Sequence, residues 1–495
     1  MKKSLPVLIC FALLFSCTKE EKQIISPETL EIKNALLKQQ ELFDAPGIAF
    51  GLIKNDTIIY ADAHGVKSRV TAEPMSTSSL FHMASVSKPF VATAIVQLIE
   101  QGKIDLEEKL IHYLPYYTMA DERYKDITIK HMLTHTSGIP NIDDYEWDKP
   151  QYDDGAAERY ARSQKNFELD FTPGEQYSYS NPAFDILCDV IAKTSGMTFE
   201  DYMKKNIFEP IGMKNSTFFK PEVPENLATQ PHVLGDSLQI TVSEIYPYNR
   251  RHAGSSTLHS NVEDMLRWAR VYLNKGSIDG KQIFSEESYK LLTSVHSPEG
   301  ERKVCLSWFL GTINDSEIYN HTGGDTGYAT FFGFIPEHKS AVVMMTNTDR
   351  FWAANNAASL LKNAVFNDTL RSKGPIHLKL KDYILTDGIE KVKEIYYAEK
   401  QKTPQNYIFD SGDIDDLGYW LMDRNYLQQA LDVFMFNTEL EPEYAGWVDS
   451  VGDAYKAMDR IDLAIKWYRK ALEMKPDQTF SREKLNELLE NNLAE

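Results

Sequence analysis

Two groups of β-rich runs stand at opposite ends of residues 27–366, and their separation constrains the fold more than any other feature. Residues 48–54 and 57–61 flank the turn pair Asn55-Asp56, while residues 304–309, 328–335 and 341–346 form a second group, followed by a helical pattern over 351–365. Between the two groups the apolar residues recur mainly at helical spacing. Successive runs joined by short turns pair antiparallel. A sheet built this way from both ends of a long helical segment is an α+β architecture, an antiparallel sheet flanked by helices, and not a doubly wound parallel one. With 495 residues, 42% hydrophobic and 25% charged, the chain can bury real cores, which excludes disordered and collagen-like classes.

Past Ser372 the β signal ends and a repeat can be counted. Val451, Gly452, Ala464, Tyr468 and Pro476 have counterparts 34 residues earlier in Leu417, Gly418, Ala430, Phe434 and Pro442. Small Gly and Ala let two helices approach, an aromatic fills the space beside them, and Pro ends the second helix. The period and residue types resemble the tetratricopeptide repeat. Residues 386–401 read as an earlier helix and 481–491 as a capping one, so the expectation is a small all-α solenoid without catalytic residues.

The chain opens with Met1, Lys2 and Lys3, an apolar run over 5–15, then Ser16 and Cys17. A charged start, a short apolar stretch and a small residue before a cut describe an export signal, and the run is too short to span a bilayer. Leu14-Phe15-Ser16-Cys17 resembles a bacterial lipobox, which implies lipidation at Cys17 and an exported bacterial lipoprotein at the outer membrane, on its periplasmic face or at the cell surface. Residues 18–23 read as a solvated tether. The expected boundaries are a signal peptide over 1–16, a tether over 17–26, a catalytic domain over 27–370 and a helical repeat domain over 371–495. Of four cysteines only Cys188 and Cys305 remain for the folded domains, and no disulfide is expected. The formal charge of −19, without basic runs, argues against nucleic acid as a partner.

Ser85-Val86-Ser87-Lys88 opens a helical pattern carried by Val91, Ile95, Leu98 and Ile99. Ser85 and Lys88, three apart, share one face of its first turn, where the helix dipole and burial favour an alkoxide and a neutral amine. SxxK alone is weak evidence: it recurs at Ser16, Ser359 and Ser481, where a cleavage site, an amphipathic helix and a helix start account for it. What distinguishes Ser85 is Tyr179-Ser180-Asn181 and then His321-Thr322-Gly323-Gly324, in that chain order. Tyr179 between two amines can be a phenolate or a proton shuttle, and Asn181 can offer a donor to a substrate amide. The glycines let a substrate lie along a strand edge, and the amides of Ser85 and Gly324 can form an oxyanion hole. A second YxN at Tyr272 falls inside a helical pattern and reads as packing.

These motifs, together with Phe81-His82-Met83-Ala84, the run from His131 to Ile139 and the run from Gly254 to Met265, resemble the serine β-lactamase and penicillin-binding protein superfamily, class C-like branch. That branch includes D-alanyl-D-alanine carboxypeptidases, D-aminopeptidases and carboxylesterases. The resemblance implies Ser85 as acylated nucleophile, Lys88 as its base, Tyr179 as shuttle, and Asn181, His321, Thr322 and Gly323 as substrate contacts. His321 stands where lactamases carry Lys, and an imidazole, mostly neutral at pH 7, holds a β-lactam carboxylate less well than an ammonium. The expected activity is therefore acyl transfer from an amide or ester, D-peptide or small ester before β-lactam, to Ser85 and then to water. No GxSxG elbow is present.

The remaining candidates have plainer readings. His131 and His135 are spaced like half a zinc site, but Met132 replaces the Glu of HExxH; a structural role is expected, with no metal and no cofactor. Residues 143–154 are acidic and aromatic, a solvated loop or else a pocket rim that deters anions. Trp447 and Trp467 read as repeat packing. The competing hypothesis is an inactive scaffold lipoprotein that binds a protein partner through its repeats.

Overall fold

The computed structural model describes residues 26–142, 144–370 and 372–494. The expected signal peptide, Cys17, the tether up to residue 25, Asp143 and Arg371 lie outside the described residues. Six strands form one antiparallel sheet: β1 (Gly47–Lys54), β2 (Thr57–Gly65), β3 (Phe309–Ile313), β4 (Ser316–Asp325), β5 (Tyr328–Ile335) and β6 (Ser340–Thr346), in the order β2-β1-β6-β5-β4-β3. Ile48 pairs with Thr346, so the two ends of the domain meet in the middle of the sheet. Two hairpins turn on the same dipeptide. Asn55-Asp56 and Asn314-Asp315 hold all four φ angles between 47° and 67°, the left-handed pair that matches strand twist and that Asn and Asp tolerate.

The sequence puts a strand at residues 304–309, whereas extended pairing starts at Phe309 and runs to Ile313. Ser307, at φ 72°, turns the chain there, and the Cys305 amide donates to the Trp308 carbonyl. The full length of β4 is also not legible in the sequence, because Asn320, His321, Thr322 and two glycines dilute its β pattern.

Both faces of the sheet are covered, which is why β1, β5 and β6 read as continuous apolar runs and do not alternate. On one face α1 (Pro27–Leu42) packs Ile32 and Leu36 against Phe50, Leu52 and Met344, a cluster shared with Leu360 and Leu361 of a later terminal helix. On the other lie α2 (Lys88–Glu100), α3 (Asn181–Ser195) and α4 (Val262–Leu273), in a larger core with Ile53, Val343 and Phe332. The terminal helix is α5 (Ala353–Phe366). Cys188 and Cys305 are buried free thiols, and Tyr272 is fully buried between Trp268 and Trp308 with its hydroxyl on Thr93.

The C-terminal region is helical: α6 (His377–Ile384), α7 (Gly388–Lys400), α8 (Ser411–Asp423), α9 (Leu427–Leu440), α10 (Ala445–Ala457), α11 (Ile461–Met474) and α12 (Thr479–Ala494). The counted repeat has a direct physical cause. A Cβ on Gly418 would strike the Phe434 ring, and one on Gly452 the Tyr468 ring, so each hairpin closes by pressing an aromatic onto bare backbone. This array is not tethered loosely. A small hairpin, residues 232–234 paired with 240–242, puts Leu234, Leu238 and Ile240 into one cluster with Leu380, Leu417 and Leu421. Arg424 donates to the Leu234 and Gly235 carbonyls at 2.6 and 2.9 Å, and the Arg350 guanidinium lies 4.9 Å from the Trp420 ring centre. Among the described residues, no helix is long and apolar enough to cross a membrane.

Candidate active site

Ser85 sits in a single 3-10 turn, Ala84–Ser87, that feeds α2. Ala84, just before it, has φ 49°, a conformation a Cβ disfavours by about 1–2 kcal/mol. The surroundings hold it there. The Met83 amide donates to the Leu258 carbonyl at 2.7 Å, Thr330 Oγ1 donates to the Met83 carbonyl at 2.8 Å, and the Leu258 amide donates to Ser87 Oγ at 3.0 Å. Gly323 of β4 lies so close to this turn that a side chain there would collide with the Met83 carbonyl and with Thr330 Oγ1, and would crowd Ala84. The strand therefore delivers Gly323 and Gly324 beside the Ser85 turn. β4 pairs with β3 only as far as Asn320, so residues 321–325 leave one edge open, and Gly324 faces free space.

Lys88 is completely buried, with Nζ 3.1 Å from Ser85 Oγ and donating to the Ser255 carbonyl at 2.8 Å. Burial lowers its pKa to about 7; the carboxylates of Asp185 and Asp325 pull the other way and lose. Each carboxylate is itself hydrogen-bonded to other groups. Asp185 accepts from His252 Nδ1 at 2.9 Å and from the Ser255 amide at 2.8 Å. Asp325 meets His82 Nε2 at 2.7 Å and takes the Ser256 hydroxyl.

Tyr179 places its ring 4.9 Å from Lys88 Nζ and its hydroxyl within hydrogen-bonding reach of Ser85. Burial raises the phenol well above its ordinary range, which selects the protonated form over the phenolate. Ser180 caps α3 through the Ala183 amide, so Asn181 stands in the first helical turn. Its side-chain nitrogen donates to Asn141 Oδ1 at 3.2 Å and to the Tyr145 hydroxyl. The donor expected at Asn181 is thus taken, and its carbonyl oxygen remains, an acceptor. His321 is buried beside Phe309. Its Nδ1–H donates to the Thr322 carbonyl at 2.7 Å, which leaves Nε2 an acceptor without a partner among the described residues. Burial, then the neighbouring Lys88, lower its pKa to about 3, so it is neutral at any physiological pH. Thr322 is exposed on the opposite side of β4.

The structural role expected of His135 has a definite location. His131 caps its own helix, Ile129–Leu133, with Thr128, while His135, at φ 58°, turns into the site. Its ring stacks on Tyr179 at 4.2 Å and its Nδ1 accepts the Ser180 amide at 3.1 Å, so Nε2 must carry the proton, and that donor has no partner among the described residues. Burial, with Lys88 and His321 adding, holds its pKa well below the usual value. Sequence reasoning misses this position as part of the site, as it misses Asn141, Asp185 and Asp325; only the spacing His-x-Ser-Gly after Thr134 points near it. The acidic stretch is a pinned rim, not a free loop. Asn249 Nδ2 donates to the carbonyls of Tyr145, Glu146 and Lys149, Arg251 pairs with Glu146, and Arg250 pairs with Asp154 at 2.7 Å and with Glu200 at 2.8 Å. With Glu146, Asp153 and Asp154 each paired with an arginine, the rim repels anions less than its sequence suggests. Among the described residues, no group of three or more His, Cys, Asp or Glu could hold a metal ion.

A serine and a desolvated lysine on one turn, a tyrosine over them and an open strand edge define a serine hydrolase-type site on an α+β scaffold. The family model described as Beta-lactamase matches residues 38–365, and the chain belongs to that family. A tetratricopeptide repeat model matches residues 450–478. Penicillin-binding protein 4* of Bacillus subtilis is 28% identical over 309 residues, which cover 59% of this chain and 66% of that protein. Protein flp of Staphylococcus aureus is 25% identical, covering 61% of this chain and 59% of that one. The chain therefore spans less than two thirds of the length of these relatives. The octameric penicillin-binding protein homologue from Pyrococcus abyssi shares the fold, with a TM-score of 0.61 at 23% identity over 72% of this chain and 81% of that one.

Proposed function

We propose that this protein is an exported serine hydrolase that works through an acyl-enzyme on Ser85, with D-amino-acid peptides or small esters preferred over β-lactams. The observation that carries the reading is the buried Lys88 amine, poised near pH 7 at 3.1 Å from Ser85 Oγ. Neutral Lys88 takes the Ser85 proton as Oγ attacks the acyl carbon, and charge on the carbonyl oxygen develops toward the Ser85 and Gly324 amides, each such donor worth about 2.7–4 kcal/mol. Tyr179, protonated, relays the proton to the departing amine or alcohol. Water then enters where the leaving group stood and uses the same path in reverse. Neutral His321 in place of a cation, and an acceptor at Asn181, favour a peptide or ester over a β-lactam carboxylate. The lipid anchor at Cys17 and the outer-membrane location belong to the same proposal and rest on the sequence of residues 1–17. The C-terminal repeats serve as a brace, with partner binding secondary.

Intact-mass analysis after exposure to a fluorophosphonate is expected to show one adduct on the wild type and none on Ser85→Ala. Equal labelling of both overturns the reading in favour of a silent scaffold. A panel of p-nitrophenyl esters, D-amino-acid anilides and nitrocefin ranks the substrates; nitrocefin as the best of them would refute the proposed order.

A further inference from the structure

The structure assigns a second binding feature beside the catalytic cleft: an aromatic pocket whose single lysine, Lys220, receives a carboxylate carried on an arm of the substrate. The inference rests on the serine hydrolase reading and adds a substrate class to it.

A cavity of about 500 Å³ is lined by Trp147, Pro150, Tyr152, Lys220, Tyr246 and Tyr248. It adjoins the chemistry on two sides. Trp147 stacks at 4.7 Å on Tyr145, whose hydroxyl takes the Asn181 side-chain donor. Tyr246 packs edge-on against His82 at 6.4 Å, and His82 holds Asp325, the residue after Gly324. A chain lying along the open edge of β4 past Asn181 thus has this pocket at its flank.

The pocket is preformed, since Asn249 fixes the backbone of residues 145–149 and Tyr152 stacks on Tyr248 at 5.5 Å. The lysine that lines it is uncompensated. Lys220 is partly buried, its Nζ stands 4.6 Å from the Tyr246 ring centre, and among the described residues no carboxylate lies within ion-pair distance of it. Burial lowers its pKa. A partly desolvated ammonium without an ion-paired carboxylate gains more from an entering carboxylate than a solvated one does. Glu146 and Asp154, the rim carboxylates that would oppose this, are paired with Arg251 and Arg250. Asp148 and Glu244 also line the cavity but are exposed and screened by water. The occupant that fits is an acyl donor with an apolar or aromatic arm ending in a carboxylate, such as a peptide residue with an acidic side chain.

Two matched phosphonate probes test this, one with a carboxylate-terminated arm and one with the corresponding carboxamide, by their rates of Ser85 adduct formation followed by intact mass. The wild type should prefer the carboxylate probe by about 10- to 100-fold, the range for a charge-assisted hydrogen bond. Lys220→Gln should collapse that ratio toward one, and Lys220→Arg should restore most of it. An unchanged ratio in Lys220→Gln, or a wild type that prefers the carboxamide, overturns the inference. A plain fluorophosphonate run in parallel separates the two ideas: if it labels Ser85 while the ratio is flat, the subsite falls and the hydrolase reading stands. If it fails to label the wild type, both fall.

Discussion

The nucleophile turn and the repeat hairpins use one device for opposite ends. In each, a glycine allows an approach that a side chain would forbid: Gly323 against the Met83 carbonyl and Thr330, Gly418 and Gly452 against the rings of Phe434 and Tyr468. In the repeats the approach is filled with carbon, and each gap closes by packing. At the site it sits beside a left-handed Ala84, a buried amine, and a donor on His135 and an acceptor on His321 that have no partner among the described residues. Unpaired polar groups and backbone strain cost free energy, and they persist where the surrounding structure holds them for chemistry. The same close approach thus yields a poised site in one region and a passive scaffold in the other.

The largest effect should come from breaking the poised side of that contrast. Lys88→Met removes the proton acceptor, and acylation of Ser85 by an activated ester should fall about 10²–10⁴-fold, the range for a positioned base. In the wild type the acylation rate should rise with pH through about 7, because Lys88 is a base only when it has lost its proton. His321, already neutral above about 3, adds no second inflection between pH 5 and 9. A single inflection near 10 would mean that Lys88 is hydrated in solution and that the desolvation argument is wrong.

On the passive side, Gly452→Leu puts a side chain into the Tyr468 ring. Overpacking of this kind costs about 1–3 kcal/mol, so the variant should lose stability by that amount in urea while Ser85 labelling keeps its wild-type rate. If labelling slows in step with stability, the distal hairpin is coupled to the site, and the contrast between the two regions is false.

The two regions also differ in how far the sequence discloses them. The repeat is legible because its cause is local and periodic: Gly and aromatic positions recur every 34 residues, and each pair meets across one helical hairpin. The hairpin at Asn55-Asp56 is legible for the same reason. The site is legible only as three short motifs. What joins them is long-range, with Asp185 reaching His252 and Asp325 reaching His82, and no local pattern marks such partners. The same holds for Asn249 and Arg250, whose hydrogen bonds turn an acidic stretch that looks solvated into a fixed rim. Lys220 carries no signal at all; its meaning depends on which carboxylates are already taken.

The smallest expected effect concerns the seam between the regions. Arg424 reaches out of α8 to two carbonyls of the 232–242 hairpin, while Leu234, Leu238 and Ile240 enter the core of the array. Arg424→Gln removes the charge-assisted hydrogen bonds and leaves the apolar contact, so the loss should be about 1–2 kcal/mol. The hairpin continues through Pro231 and His232, which press on Gly327 in the turn between β4 and β5. That turn directly follows the open edge of β4, so loosening the brace reaches the site through one backbone contact. The result that fits bracing is a lower unfolding midpoint, with Ser85 acylation reduced less than about twofold. A midpoint equal to wild type would show that the two Arg424 hydrogen bonds contribute nothing to the brace, which would then rest on the apolar contact of Leu234, Leu238 and Ile240 alone.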